Sequence, residues 1–566
     1  MVFVKKNFRR GHCYYTIVEG YRDGGKVKHR TLLYLGRLET LDDEKRRRIE
    51  AIIRKVPEEK LPEIKTCMEE LDIPLIRDQG DVEILYRIAG KLELRGIING
   101  HVVKTSGVDV GSQMVVLAIN QCLDALALDN VDLWYHHTIL EERLGIPFYK
   151  LNVENLCKAM DYIYEPIRDG KGRMIDVKDN AQPIQQSIVE KLKGLYDIKL
   201  DTLFYDITST YFEGNSCIIA RLGYSRDGKR DKKQILVGLV VTKDYRFPIF
   251  YSVFEGSTSD MTTVSNTIRT LQGEFKVEKT LLVLDRGMIH PENLKELDRS
   301  GFDYVCGLKK GEKEVKKVIF GARGFDEKKN RIRDDISAVD MVEKFAGKKR
   351  KLVVYKNHEQ AKMMKEGRDL KLARTMKGLE EYAARVNAGN YRNVEKVVGK
   401  VKKLKKGVSK YIITDITVKE GRVRLSVGKQ DKRIWEAEKL DGKYLLMCTD
   451  LGLSKEEVIS VYFDKDGIEK VFRSMKQHGL HPIRSWTLNR VKASIFVGYL
   501  GQLLLATLGY MLDKAGLRIT PERALGYLKW QKKVVLESGK TVVEKISVPE
   551  VEAKEILEKL ENAKLL

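Results

Sequence analysis

Nine consecutive residues, Gln234–Thr242 (QILVGLVVT), constrain the fold more than any other stretch. A strand that is apolar on both of its alternating faces must be covered on both, so it belongs in the interior of a sheet. Its neighbours supply that sheet. Thr202–Thr208 reads as a strand before it and Arg246–Phe254 as one after it, with Tyr245-Arg246 in the intervening turn. Asp260–Leu271 has helical spacing, Lys279–Asp285 strand character and Pro291–Asp298 helical spacing, and Phe302–Leu308 is a fifth strand. The order is three hairpin-like strands, helix, strand, helix, strand.

Two acids stand at telling places in this set. Asp206 closes the apolar run TLFYD and precedes the hydroxyl-rich Ile207-Thr208-Ser209-Thr210; Asp201 is the alternative but lies ahead of the strand. Asp285 closes LLVLD before Arg286-Gly287. By analogy with open α/β sheets, an acid at a strand's carboxyl end is exposed where loops take ligands. Either aspartate alone is more commonly a turn former.

A third acid comes much later. Ser454-Lys455-Glu456-Glu457 has the capping-box pattern of a helix start. Asp464, Asp466 and Gly467 interrupt that helix, and Asp466 is placed to cap the next one. Ile468, Val471, Phe472 and Met475 then form an apolar stripe, while Glu469, Arg473 and Lys476 share a neighbouring face at i, i+4 and i+7. Alone, such a face is an ordinary solvated one.

The spacing of Tyr462, Lys465, Glu469 and Lys476 resembles the Y-R-E-K signature of insertion-sequence DDE transposases, with Lys where that family usually has Arg. His481-Pro482-Ile483-Arg484, Asn489-Arg490-Val491-Lys492 and Glu255–Asp260 (EGSTSD) are similar to the same family, although Asp260 itself reads as a helix cap. The resemblance implies an α/β ribonuclease H-like catalytic domain over 196–310 and 451–515. A basic α+β insertion at 311–450 would interrupt it, behind a mainly helical N-terminal region. It implies Asp206, Asp285 and Glu469 as catalytic acids and metal ligands, with Tyr462, Lys465, Arg473 and Lys476 on the DNA. It also implies two Mg²⁺ ions, Mn²⁺ being able to substitute. Two such ions ~3.5–4 Å apart activate the attacking oxygen and stabilise the leaving one. Three acids brought together repel one another, so separate rigid elements have to hold them.

The implied reaction is cleavage at the ends of a mobile element and strand transfer into target DNA. The partners are then double-stranded DNA, as terminal inverted repeats and as target, and a second copy in a synaptic dimer. The setting is a prokaryotic cytoplasm, at the nucleoid. Two alternatives stay open: a transposase-derived DNA-binding protein that no longer cuts, and a ribonuclease H-like nuclease that cuts without joining.

Charge agrees with a polyanionic partner. Lys and Arg number 104 against 81 Asp and Glu, a net charge of +23. Residues 309–410 hold 31 of those bases and 14 of the acids, so most of the excess sits in less than a fifth of the chain. The spacing predicts long basic helices over 335–405, then strands over 411–426. Elsewhere it predicts an N-terminal hairpin arm at 1–38 turning at Arg22–Gly25. A helical region at 39–195 follows, with helices at 42–55, 81–95, 112–127, 153–168 and 182–195, where the resembled enzymes bind element ends. The segment 516–566 shows no chemistry.

Ala493–Leu512 is long and apolar enough to suggest a membrane span. Ser494, Gln502, Thr507 and three glycines within it favour a buried core helix and no membrane. Seven scattered cysteines without a C-x-x-C pair argue against a disulfide framework or zinc ribbon and fit a reducing compartment. The opening MVFVKKNFRRGH has no apolar stretch of the signal-peptide kind.

Overall fold

The structure is a computed structural model. It describes residues 2–9, 12–23, 26–37, 72–212, 217–223, 228–229, 231–289, 291–419, 421–480, 482–538 and 541–565. The helix expected at 42–55, and Gly24 and Gly25 of the expected turn, lie outside the described residues. The chain forms two compact units, one from Met1–Val82, His136–Ile139 and Gly526–Glu555, the other from Glu83–Tyr135, Leu140–Leu525 and Ile556–Leu566.

The N-terminal alternation yields three antiparallel strands rather than a hairpin's two: β1 (Val2–Arg9), β2 (His12–Asp23) and β3 (Lys26–Arg37). The extra strand forms because Val4 finds a partner in Ile17, and both bury beside Tyr15 and Val18. The same unit holds β4 (Asp72–Asp78).

Between 80 and 196 the chain is mostly helical: Gly80–Lys91, Leu94–His101, Val110–Leu123, Val153–Ile163 and Ala181–Tyr196. Asp109 and Asn152 cap two of them, accepting from the Ser112 and Asn155 amides. The helix expected at 153–168 stops early. Its last residues form β5 (Tyr164–Arg168), which pairs with β6 (Met174–Asp179), because Pro166 has no N–H to continue a helix.

The expected strand order then appears. β7 (Thr202–Tyr211), β8 (Gln234–Thr242) and β9 (Pro248–Glu255) pair antiparallel, and every residue of β8 is buried. β10 (Leu281–Leu284) runs parallel to β7, and β11 (Asp303–Gly307) parallel to β10. Helices Asp260–Gly273 and Pro291–Ser300 make the crossovers.

The sheet does not stop at β11. Residues 335–357, expected to be helical, are strands: after β12 (Arg331–Arg333), β13 (Ile336–Phe345) and β14 (Lys348–Asn357) make a hairpin. Ala346 and Gly347 take the two left-handed positions of its turn, at φ 46° and 87°. The helix begins only at His358, where the Asn357 side chain accepts from the Gln360 amide at 2.8 Å. Helices His358–Arg385, Val394–Leu404 and Asp431–Leu440 then surround the hairpin of β15 (Ile412–Lys419) and β16 (Arg422–Lys429). This part has its own core of Leu372, Leu379, Tyr382, Val397, Val401, Val423 and Leu425. The excursion closes where the Asn357 amide donates to the Gly442 carbonyl at 2.8 Å. β17 (Lys443–Cys448) then returns between β14 and β11. The complete sheet has nine strands, ordered β12-β13-β14-β17-β11-β10-β7-β8-β9.

The apolar run near 500 is one helix, Leu488–Lys514. It is long enough to cross a membrane, yet 89% of its most apolar window is buried inside the protein. In the smaller unit, β18 (Lys532–Ser538) and β19 (Thr541–Ile546) complete a sheet in the order β19-β18-β4.

Candidate active site

β7 brings Asp206 to the middle of the sheet. Gly238 of β8 leaves room for the neighbouring Tyr205, whose hydroxyl would lie 2.7 Å from a Cβ there. Parallel pairing sets the end of β10 beside β7, with Phe204 opposite Val283, so Asp285 emerges close to Asp206. The third acid arrives on a broken helix. The capping box forms as the sequence implies: Ser454 Oγ accepts from the Glu457 amide at 3.2 Å, and Glu457 Oε2 accepts from the Ser454 amide at 2.7 Å. The Ser454 amide and hydroxyl, both donating to Glu457 Oε2, hold that carboxyl below the usual range. The helix Lys455–Asp464 ends, and Asp466–Met475 begins, around Lys465. Asp466 does not cap the second helix. It pairs with Lys470 at 2.8 Å, one turn along. Ile468, Val471, Phe472 and Met475 are buried as the stripe requires.

These elements converge on one ammonium. Lys465 Nζ lies 3.6 Å from Asp206 Oδ2, 3.7 Å from Asp285 Oδ1 and 3.3 Å from Glu469 Oε1. Two of those distances bound the separation of any two of the oxygens at roughly 7 Å, a span that a two-ion site can bridge. Burial by itself would lower the Lys465 pKa, but Asp206, Asp285 and Glu469 outweigh it and raise it. The lysine is therefore charged, and it offsets the repulsion among the acids.

Asp260 is nearer the site than a capping role requires. The cap is Ser259, whose side chain accepts from the Thr262 amide. A Cβ on Gly287 would stand 3.3 Å from Asp260 Oδ2 and 3.9 Å from Asp285 Oδ2, so both carboxylates face the same turn.

The remaining predicted residues spread outward. Tyr462 is half-buried, with its hydroxyl where a Cβ on Gly307 would sit; burial first, then Asp285, pushes its phenol pKa up. Arg473 is exposed and Lys476 half-buried, on the same helix face as Glu469. The sequence reading passed over Lys310. Its ammonium lies 3.8 Å from the Tyr444 ring centre and donates to the Leu440 carbonyl at 3.2 Å. Burial and the nearby Arg286 bring its pKa down to about 8. The Lys309-Lys310 pair straight after a strand was the available signal.

Among the described residues no three His, Cys, Asp or Glu side chains close tightly enough to ligate an ion outright. The donor set nonetheless suits a hard divalent cation: three carboxylates, from a strand, a strand end and a helix, around one point of positive charge.

A central mixed sheet with acids on β7, after β10 and on a following helix is the arrangement of a ribonuclease H-like enzyme. Residues 201–500 match the transposase DDE domain, more than half of the chain, and the protein belongs to the DDE transposases. Residues 3–66 match the N-terminal domain of the IS1634 family transposases, which makes it a transposase of the insertion-sequence kind. It is a DNA transposase, an enzyme that cleaves DNA and depends on divalent metal.

Among solved structures, the piggyBac transposase in a synaptic complex with hairpin DNA is similar at 8% identity. That likeness covers 79% of this chain and 78% of that one with a TM-score of 0.36. The Mos1 transposase in a paired-end complex with the left transposon end is similar at 12% identity, over 36% and 59%, with a TM-score of 0.14. Neither likeness bears on the assignment. Comparison with curated proteins returns no match.

Proposed function

We propose that this transposase cuts double-stranded DNA at the terminal inverted repeats of its own element and joins the freed ends to target DNA, by cut-and-paste. Asp206, Asp285 and Glu469 are its catalytic acids and would hold two Mg²⁺ ions. The observation that carries this is the convergence of the three carboxylates on Lys465. Bound there, the ions would activate the attacking oxygen and stabilise the leaving one at the scissile phosphodiester.

The chain's own residues do the rest. β7 fixes Asp206 in a packed sheet, and β10 delivers Asp285 beside it in the turn that follows, so little reorganisation of Asp206 is left for the reaction. Glu469 meets them from a more exposed helix. Tyr462, Arg473 and Lys476 line the approach to that helix and hold the DNA backbone, and Lys465 neutralises the acids between them. The basic part of the insertion gives the phosphate backbone a second hold. Its helix Val394–Leu404 buries Val397 and Val401 and turns Lys396, Lys400 and Lys403 to one side. Synapsis of two ends calls for a dimer, and the setting is the cytoplasm, at the nucleoid.

The test is Asp206→Asn, Asp285→Asn and Glu469→Gln, assayed on duplexes cut from the ends that flank the reading frame. Each should lose Mg²⁺-dependent cleavage while binding the same DNA with unchanged affinity. Wild-type cleavage in any of the three removes that residue from the site. A strand-transfer assay with wild-type protein separates a transposase from a nuclease that only cuts.

A further inference from the structure

The turn between β8 and β9 is built against local preference. Tyr245 and Arg246 are consecutive non-glycine residues in the left-handed region, at φ 55° and 58°. Such strain persists only where the surroundings impose it. Here the surroundings are the contacts of both side chains: the Tyr245 hydroxyl donates to Asp513 at 2.5 Å and its ring meets Tyr510, while Arg246 makes the contacts that matter to the site. Its guanidinium lies over the Phe204 ring, 4.8 Å from the centre. Its Nη2 donates to the Asp464 carbonyl at 2.8 Å. Any side chain at Gly467 would collide with the same guanidinium, so the group fills the notch that this glycine leaves.

Each contact belongs to an element that carries an acid. Phe204 is two residues before Asp206 on β7. Asp464 ends the first half of the broken helix, where a carbonyl without a helical partner takes up a cation well. Gly467 lies in the second half, two residues before Glu469. The guanidinium thus ties the strand of the first acid to the junction that sets the third.

We infer that Arg246 is a positioning residue of the DDE site: it fixes the kink at Asp464–Gly467 against β7, and so sets the distance from Glu469 to Asp206. The inference rests on the assignment of those two acids as catalytic. Arg246 touches neither DNA nor metal in this role. Its loss should therefore slow the chemical step without weakening DNA binding.

Arg246→Gly is the decisive variant, because glycine adopts the left-handed conformation without strain. Were Arg246 only a turn residue, this change would be neutral or stabilising. Because the Phe204, Asp464 and Gly467 contacts are lost along with the strain, we expect a melting temperature below that of the wild type and an unchanged half-saturating DNA concentration. At saturating DNA, cleavage should fall by about 10- to 100-fold, the scale of a small misplacement of catalytic groups. Gly467→Ala keeps the guanidinium but places a methyl group where it lies. It should show the same split, and it decides the matter if Arg246→Gly does not fold. Cleavage within about twofold of wild type in the folded variants overturns the inference. Asp206→Asn runs alongside: if it still cleaves, the site assignment has failed, whereas its loss beside full activity in Arg246→Gly removes Arg246 alone.

Discussion

The two aspartates and the glutamate of this site are held in different ways. Asp206 projects from a central strand and keeps 14% of its side chain exposed; Glu469 sits on a helix with 57% exposed. One is fixed by packing on both faces of a sheet, the other by a helix whose register depends on a junction at Lys465. Close packing transmits small displacements, while an exposed helix face absorbs them. The sheet therefore acts as the fixed half of the site and the helix as the adjustable half.

The largest expected effect tests that contrast directly. Lengthening the buried acid, Asp206→Glu, should cost about 10²-fold or more in cleavage, because the strand cannot give way. Shortening the exposed one, Glu469→Asp, should cost about 10-fold. Single-turnover rates in Mg²⁺ check both, and the opposite ranking would break the comparison.

A middle-sized effect sharpens it. Ser454→Ala removes the cap that starts the helix pair and should cost about 1 kcal/mol. Hydrogen exchange should quicken around 455–460 and stay unchanged in β7, showing that the two halves loosen separately. Reversal of one lysine in the insertion, Lys400→Glu, should lower DNA affinity and flatten its salt dependence by roughly one phosphate contact, with cleavage at saturating DNA unaffected.

A pH-dependent effect concerns Lys310. Its folded-state pKa is lowered to about 8 from an ordinary 10.5, so between those values the unfolded chain binds a proton that the folded chain does not. Stability should then rise with pH across that window and be flat below it. Lys310→Met should remove the slope. Urea unfolding at a series of pH values from 7 to ~10.5 measures this, and an unchanged slope would place the titration elsewhere.

How much of this could be read from the chain follows the same division. β7 to β11 were legible because their residues are apolar in runs that only a covered sheet accommodates. The acids stand out at the ends of those runs and on the helix, but each alone reads as a turn former or a solvated face; only the resemblance joined them into one candidate set. β13 and β14 were not, because Arg350 and Lys351 place charges at buried strand positions. Arg350 is paired with Asp298 at 2.9 Å, and Lys351 donates to the Leu453 carbonyl. Such partners come from distant segments and leave no local pattern. The pairing of β4 with β18, far apart in sequence, is hidden for the same reason. So is the setting of Lys465: the resemblance implied a DNA contact for it, and only the folded chain shows three acids gathered around it.

The hydrogen bond from Asn357 to the Gly442 carbonyl shows where the architecture would tolerate surgery. Residues 358–441 leave and re-enter the sheet at one point, so a short turn joining β14 to β17 could replace them and leave the nine strands connected. β12, β13, β14 and β17 could not be removed in the same way, because Ile336, Val353 and Leu446 pack with Val458 and Ile459 of the helix Lys455–Asp464, which leads into the one carrying Glu469. The nine-stranded framework thus reaches well into the 311–450 stretch, and only the lobe beyond that one gateway keeps a core of its own.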